Sequence, residues 1–195
     1  MRRAAFVLLL TAVTAEAAPR TLTSTYEVSE NVHMAGQRGA MNRRTDLTVT
    51  ITLGDRGKLG IVAVGTDRDH VLNGSTGENT AVDTAWRTRW SGTWQERGDT
   101  LVLSLGFVGQ QCTKEETSDR VAPTTLRCKM PSKRARIVCA SEDVDVRDAT
   151  LQREPVWRCR AEQGELGETY PYWVAGKRAC LRTHGGRGGS SYARC

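Results

Sequence analysis

Residues 82–95 read VDTAWRTRWSGTWQ and carry the clearest structural signal in the chain. The even-numbered positions of this stretch share one face of an extended chain, and they include Trp86, Trp90 and Trp94. A four-residue spacing of tryptophans would also suit a helix, but the threonines and the glycine between them favour a strand. After a short polar turn, residues 101–107 alternate in the same way. The pattern predicts two long strands at the centre of the core.

The same period of two extends outward from this centre. Residues 22–34 alternate, and residues 47–53 and 59–64 flank a glycine-rich turn, which is typical of a β-hairpin. Beyond residue 109 the pattern weakens to short candidate strands at 125–130, 136–140, 156–161 and 170–175, with one candidate helix at 143–152. We therefore expect an all-β, antiparallel barrel or sandwich of about eight strands, with a disulfide-stabilised, loop-rich C-terminal half.

Gly92-Thr93-Trp94, before a polar turn and an alternating strand, resembles the glycine-x-tryptophan motif of lipocalin-like barrels. Those families carry the motif on the first barrel strand, whereas three candidate strands precede it here. The resemblance covers about fifteen residues. It implies an architecture compatible with a barrel and nothing further.

The start of the chain has the order of a bacterial-type signal peptide over residues 1–17. Arg2 and Arg3 precede an apolar run at 4–13, and the small-residue triplet 15–17 follows. The run is too short to cross a bilayer as a helix, and the first cysteine, Cys112, lies too far away to carry a lipid at the cleavage point. We expect a secreted or periplasmic protein without a stable membrane anchor, with residues 18–195 as a single β-rich domain. The alternative is a β-domain at 18–109 and a cysteine-rich module at 110–195.

All six cysteines lie in the C-terminal half of the chain. An even number after a signal peptide predicts three disulfides, and six cysteines allow 15 pairings. Loops of hairpin size favour pairing of sequence neighbours. The expected pairs are Cys112 with Cys128, Cys139 with Cys159, and Cys180 with Cys195. Closed zinc sites use cysteines two to four residues apart, and no two cysteines here are that close.

Charge and motifs exclude several functional classes. The formal net charge is +6, and basic and acidic residues are interspersed, which argues against a nucleic-acid partner. None of the histidines, His33, His70 and His184, lies in a catalytic or metal-binding spacing. We predict no catalytic residue, no metal and no cofactor, and we favour a protein that is not an enzyme, although an exported hydrolase without short motifs stays open.

Two functions follow from these expectations. The first is an exported, non-catalytic binding protein that holds a small apolar ligand, a glycan or an extracellular protein. Trp86, Trp90 and Trp94 would line its pocket, although aromatic residues on one strand face more often fill a core. The alternative is a secreted inhibitor of an extracellular enzyme, in which a disulfide-held loop at 180–195 or 128–139 presents basic residues.

Overall fold

The computed structural model describes residues 19–33, 39–147, 151–164, 172–177, 180–186 and 189–195. The expected signal peptide at 1–17 lies outside these residues. Within them the chain is almost entirely β-structure, with a single 3-10 turn at Asp55–Gly57. No helix in the described part of the chain has the length and apolarity needed to cross a membrane. The prediction of an all-β fold is confirmed.

Eleven strands occur in the described residues and belong to one sheet. In chain order they are β1 (Arg20–His33), β2 (Gly39–Leu53), β3 (Lys58–Asn73), β4 (Glu78–Arg97), β5 (Thr100–Ser118), β6 (Thr124–Thr125), β7 (Arg134–Arg147), β8 (Leu151–Gln163), β9 (Tyr172–Gly176), β10 (Leu181–Gly186) and β11 (Gly189–Arg194).

Eight of these strands close a ring, in which β1 to β5 follow one another as antiparallel neighbours. β7 then pairs with β5, and β10 and β11 complete the circuit between β1 and β7. The ring is not a regular barrel. Its β1–β10 and β11–β7 contacts are parallel, the second rests on the single pair Tyr192 and Val146, and β8 and β9 extend from the other edge of β7.

The interior of the ring is the main hydrophobic core, and the alternation seen in the sequence builds it. On β4 the even positions 84, 86, 88, 90 and 94 are buried, and on β5 the odd positions 101, 103 and 105 are buried opposite them. Gly65 on β3 makes room for this packing, because a Cβ there would lie 2.4 Å from Cζ2 of Trp86. The two predicted central strands are therefore present, and β4 carries Gly92-Thr93-Trp94 as the fourth strand.

β9 lies against β1 through side chains rather than through backbone pairing. The Tyr26 hydroxyl donates to the Val174 carbonyl at 2.9 Å and accepts from the Val174 N–H, and the Ser24 hydroxyl also donates to that carbonyl. Burial raises the pKa of Tyr26 above its ordinary value. These contacts satisfy backbone groups that an edge strand would otherwise leave open.

The expected helix at 143–152 is wrong. Residues 143–147 finish β7, residues 151 and 152 begin β8, and residues 148–150 lie outside the described chain. Val144 and Val146 alternate with charged neighbours and are buried in a second, smaller core cluster. A helix would have placed these two valines on different faces, so the burial of both favours the strand.

The sheet runs without a break through both halves of the chain. The boundary at 109/110, considered above, falls inside β5, and β5 pairs with β7 of the C-terminal half. β10 of that half pairs with β1.

Candidate functional site

The three tryptophans of β4 lie in the core. Trp86, Trp90 and Trp94 expose 6%, 2% and 9% of their surface. The Trp90 ring meets Phe107 edge-on at 5.4 Å between centroids, and Trp94 donates its indole N–H to the Gly54 carbonyl at 3.0 Å. None of the three belongs to the lining of either of the two clefts described next.

The outer face of the sheet carries two adjoining clefts of about 710 and 450 Å³. Asp46 and Thr66 line both of them, so the clefts form one groove across the outer face. Its walls are mostly charged side chains and threonines. Tyr26, an aromatic residue of the lining, points its buried ring inward toward Val174.

Ion pairs within and between strands line this groove. Arg44 donates to Glu27 at 3.2 Å and lies 3.3 Å from Asp46, so that one guanidinium bridges two carboxylates. Arg68 donates to Asp83 at 2.6 Å, and this hydrogen bond raises the pKa of the guanidinium. These side chains are about half exposed, so each pair contributes little to stability.

The cysteines pair as sequence neighbours: Cys112 with Cys128, Cys139 with Cys159, and Cys180 with Cys195. The preferred pairing is confirmed. Each bond has a different structural role, since Cys139 and Cys159 face each other within the β7–β8 pair and Cys180 and Cys195 close the ends of the β10–β11 hairpin. Three disulfides indicate an oxidising, extracellular-type environment.

The bond between Cys112 and Cys128 holds a segment that belongs to no strand. We call residues 126–133 the tethered segment. Leu126 donates its N–H to the Lys114 carbonyl at 2.8 Å, and the Lys133 carbonyl accepts from the N–H of Phe107 at 3.0 Å. Cys128 is fixed to β5 through Cys112. The segment is thus anchored at both ends and near its middle.

Basic side chains project from the tethered segment into solvent. Arg127, Lys129 and Lys133 are exposed, and so is the apolar Met130, which exposes 64% of its surface. Pro131 is buried and points toward the protein. The expected basic loop at 128–139 contains most of this segment, but it begins one residue after Arg127, whose exposure depends on the pairing of β6 with β5. Its signal in the sequence is an arginine directly before a cysteine.

The other expected loop, residues 180–195, has a different form. Its described residues are paired as β10 and β11, and Cys195 donates its N–H to the Cys180 carbonyl at 3.1 Å. Arg194 is engaged with Gln152 at 2.7 Å and with Glu154. The backbone hydrogen-bonding groups of this hairpin are thus largely used within the sheet, unlike those of the tethered segment.

No group of three or more histidine, cysteine or acidic side chains suited to a metal ion occurs among the residues that the structure describes. Comparison with known protein families, curated proteins and solved structures finds no match to this chain. The geometry of the clefts and of the tethered segment is therefore the basis for a function.

Proposed function

We propose that this chain is an exported, non-catalytic binding protein whose partner is an extracellular enzyme, which it inhibits through the tethered segment. One observation carries the proposal. An exposed, basic, extended segment is fixed to the sheet by hydrogen bonds at both ends and by the disulfide between Cys112 and Cys128. Such a segment offers recognition by shape and charge, without a reacting group of its own.

Rigidity is what makes such a segment a good binder. A flexible loop loses conformational freedom when it binds, at about 0.5–1.5 kcal/mol for each immobilised side chain with many rotamers, and more for the backbone. The tethered segment has lost much of that freedom before it meets a partner, because its anchors already hold it in place. Binding energy from its exposed side chains can therefore appear as affinity.

Small ligands have less support than a protein partner. An apolar ligand needs an apolar pocket, whereas the tryptophans expected to line one are buried in the core. A glycan usually stacks on an exposed aromatic ring, and the one ring among the residues lining the outer groove, that of Tyr26, is turned inward. The paired charges of the groove are better suited to contact with the polar surface of a protein partner.

Export is part of the same proposal. We propose that residues 1–17 are a signal peptide and that the mature protein is secreted or periplasmic. The three disulfides support this location, because such bonds persist in oxidising compartments. An inhibitor of an extracellular enzyme would act in the same compartment.

The test is inhibition of a panel of purified extracellular enzymes by the oxidised protein. The panel contains serine, cysteine and metalloproteases of different specificities, together with glycosidases. We expect saturable inhibition of at least one enzyme at a stoichiometry of one to one. A three-glycine insertion after Leu126 should abolish it, because the insertion separates the Leu126 anchor from the Cys128 anchor without removing any side chain.

The matched control places the same three glycines after Ser75, in the turn between β3 and β4. That variant should inhibit as well as the unaltered protein. Absence of inhibition across the panel, or inhibition that survives the insertion after Leu126, would refute the proposed function.

A further inference from the structure

Resting on the proposed inhibitory function, we infer that the enzyme is a serine protease of trypsin-like specificity. Its primary specificity pocket would receive Arg127, and its nucleophile would face the peptide bond between Arg127 and Cys128. A pocket with a carboxylate at its base selects arginine or lysine at this position. Arg127 is exposed, and the backbone on both sides of it is anchored.

The direction of the backbone supports this placement. Thr124 and Thr125 pair with Glu116 and Glu115 of β5, and the next residue, Leu126, donates to Lys114. In an antiparallel pair, successive residues turn their N–H and C=O groups alternately toward and away from the partner strand. Because Leu126 points its N–H toward β5, the backbone groups of Thr125 and Arg127 point to the opposite side.

This alternation matches how proteases of this class hold a substrate. An extended peptide binds them as an added strand, with main-chain hydrogen bonds from alternate residues and a pocket for a side chain. Thr125 and Arg127 are the alternate residues that offer backbone groups at the outer edge of β6. Leu126 between them is half buried and bonded to β5, so it keeps the edge in position.

Lys129 and Lys133 are the other exposed basic residues of the tethered segment. Lys133 adjoins β7 and its carbonyl accepts from the N–H of Phe107, so its backbone is held against β5. Lys129 fits the same pocket less well than Arg127. With Lys129 in the pocket, Pro131 would be the second residue after the cleaved bond. Proline has no N–H to donate to the protease there, and Pro131 is buried against the protein. With Arg127 in the pocket, that second residue is Lys129, which has a backbone N–H and an exposed side chain.

The disulfide explains why the protein would inhibit rather than serve as a substrate. Hydrolysis of the bond between Arg127 and Cys128 adds one water and leaves a carboxylate on Arg127 and an amino group on Cys128. Cys128 stays bonded to Cys112, and the hydrogen bond between Leu126 and Lys114 holds the other end. The two new ends remain near each other, so the reverse condensation, which releases that water, competes with product release.

The experiment measures the inhibition constant of the oxidised full chain against trypsin with a chromogenic arginine substrate. We expect tight inhibition by the unaltered protein. Arg127→Ala should raise the inhibition constant by about 100-fold or more, as for a residue at the centre of an interface. Arg127→Lys should stay within about tenfold, since the pocket accepts either cation. Arg127→Leu should move inhibition toward a chymotrypsin-like protease.

Lys129→Ala is the matched control and should change the constant by less than about tenfold, because a residue outside the primary pocket contributes less. Circular dichroism and intact mass confirm that each variant is folded with three disulfides. Inhibition of a protease of another specificity, but not of trypsin, would keep the proposed function and overturn this inference. Loss with Lys129→Ala instead of Arg127→Ala, or rapid digestion at Arg127 without inhibition, would overturn it as well. No inhibition of any enzyme in the panel would remove the proposed function itself.

Discussion

Replacing both Cys112 and Cys128 with serine should lower the free energy of unfolding by about 3 kcal/mol, the chain-entropy value for a loop of this size. The two cysteines are 16 residues apart. Cys180 and Cys195 are 15 residues apart, so the same double replacement there should cost about the same. The two variants are therefore matched in global stability, and they differ in whether the tethered segment is released.

The measurement combines urea unfolding with limited proteolysis by trypsin, in which mass spectrometry reports the rate of cleavage after Arg127. We expect similar unfolding midpoints for the two variants, but cleavage at Arg127 at least about tenfold faster when Cys112 and Cys128 are replaced, because the freed segment can enter a protease without resistance. Equal cleavage rates in the two variants would refute the claim that this disulfide, rather than overall stability, holds the segment.

Two further changes test the core and the contact between β1 and β9. Gly65→Ala should destabilise the protein by about 1–3 kcal/mol in urea unfolding, because the new Cβ meets the Trp86 ring. The control is Gly60→Ala on the same strand, whose Cβ meets nothing within 4 Å and which should be neutral or stabilising. Equal effects of the two substitutions would contradict the packing of Trp86 against Gly65. Burial raises the pKa of Tyr26 above 10.0, so the folded state keeps the hydroxyl proton at a pH where the unfolded state loses it. The free energy of unfolding should therefore fall as the pH rises above about 10, by at most about 1.4 kcal/mol per pH unit. Tyr26→Phe should flatten this part of the pH profile, and an unchanged slope would contradict the assignment.

Local patterns predicted the N-terminal half of the fold well. The alternation in residues 82–95 and 101–107 reports burial on one strand face, and β4 and β5 bury those same positions. The turn at 54–57 separates β2 and β3 as expected. These features depend on residues that are close in the sequence, so the pattern of one sequence is enough to predict them.

The C-terminal half was harder because its strands depend on distant partners. Residues 185–191 are too rich in glycine to predict a strand, yet β10 begins at Leu181 and pairs with β1. The helix expected at 143–152 arose from a short polar stretch in which only Val144 and Val146 show the alternation. Arg127 was missed for a related reason, since its exposure and backbone direction follow from the pairing of β6 with β5.

The parallel contact between β1 and β10 sets the order in which the protein can fold. β1 is the first strand of the described chain and β10 is close to its end, and the nearby bond from Ser24 to Val174 joins residues 150 positions apart. A contact between residues so far apart in the sequence closes a very long loop, and such contacts slow folding. During synthesis, β1 would emerge long before β10 exists, with one edge exposed to any other strand. Ring closure therefore waits until residues 181–186 have been made, and a chain truncated before residue 181 would present that edge as a site for aggregation.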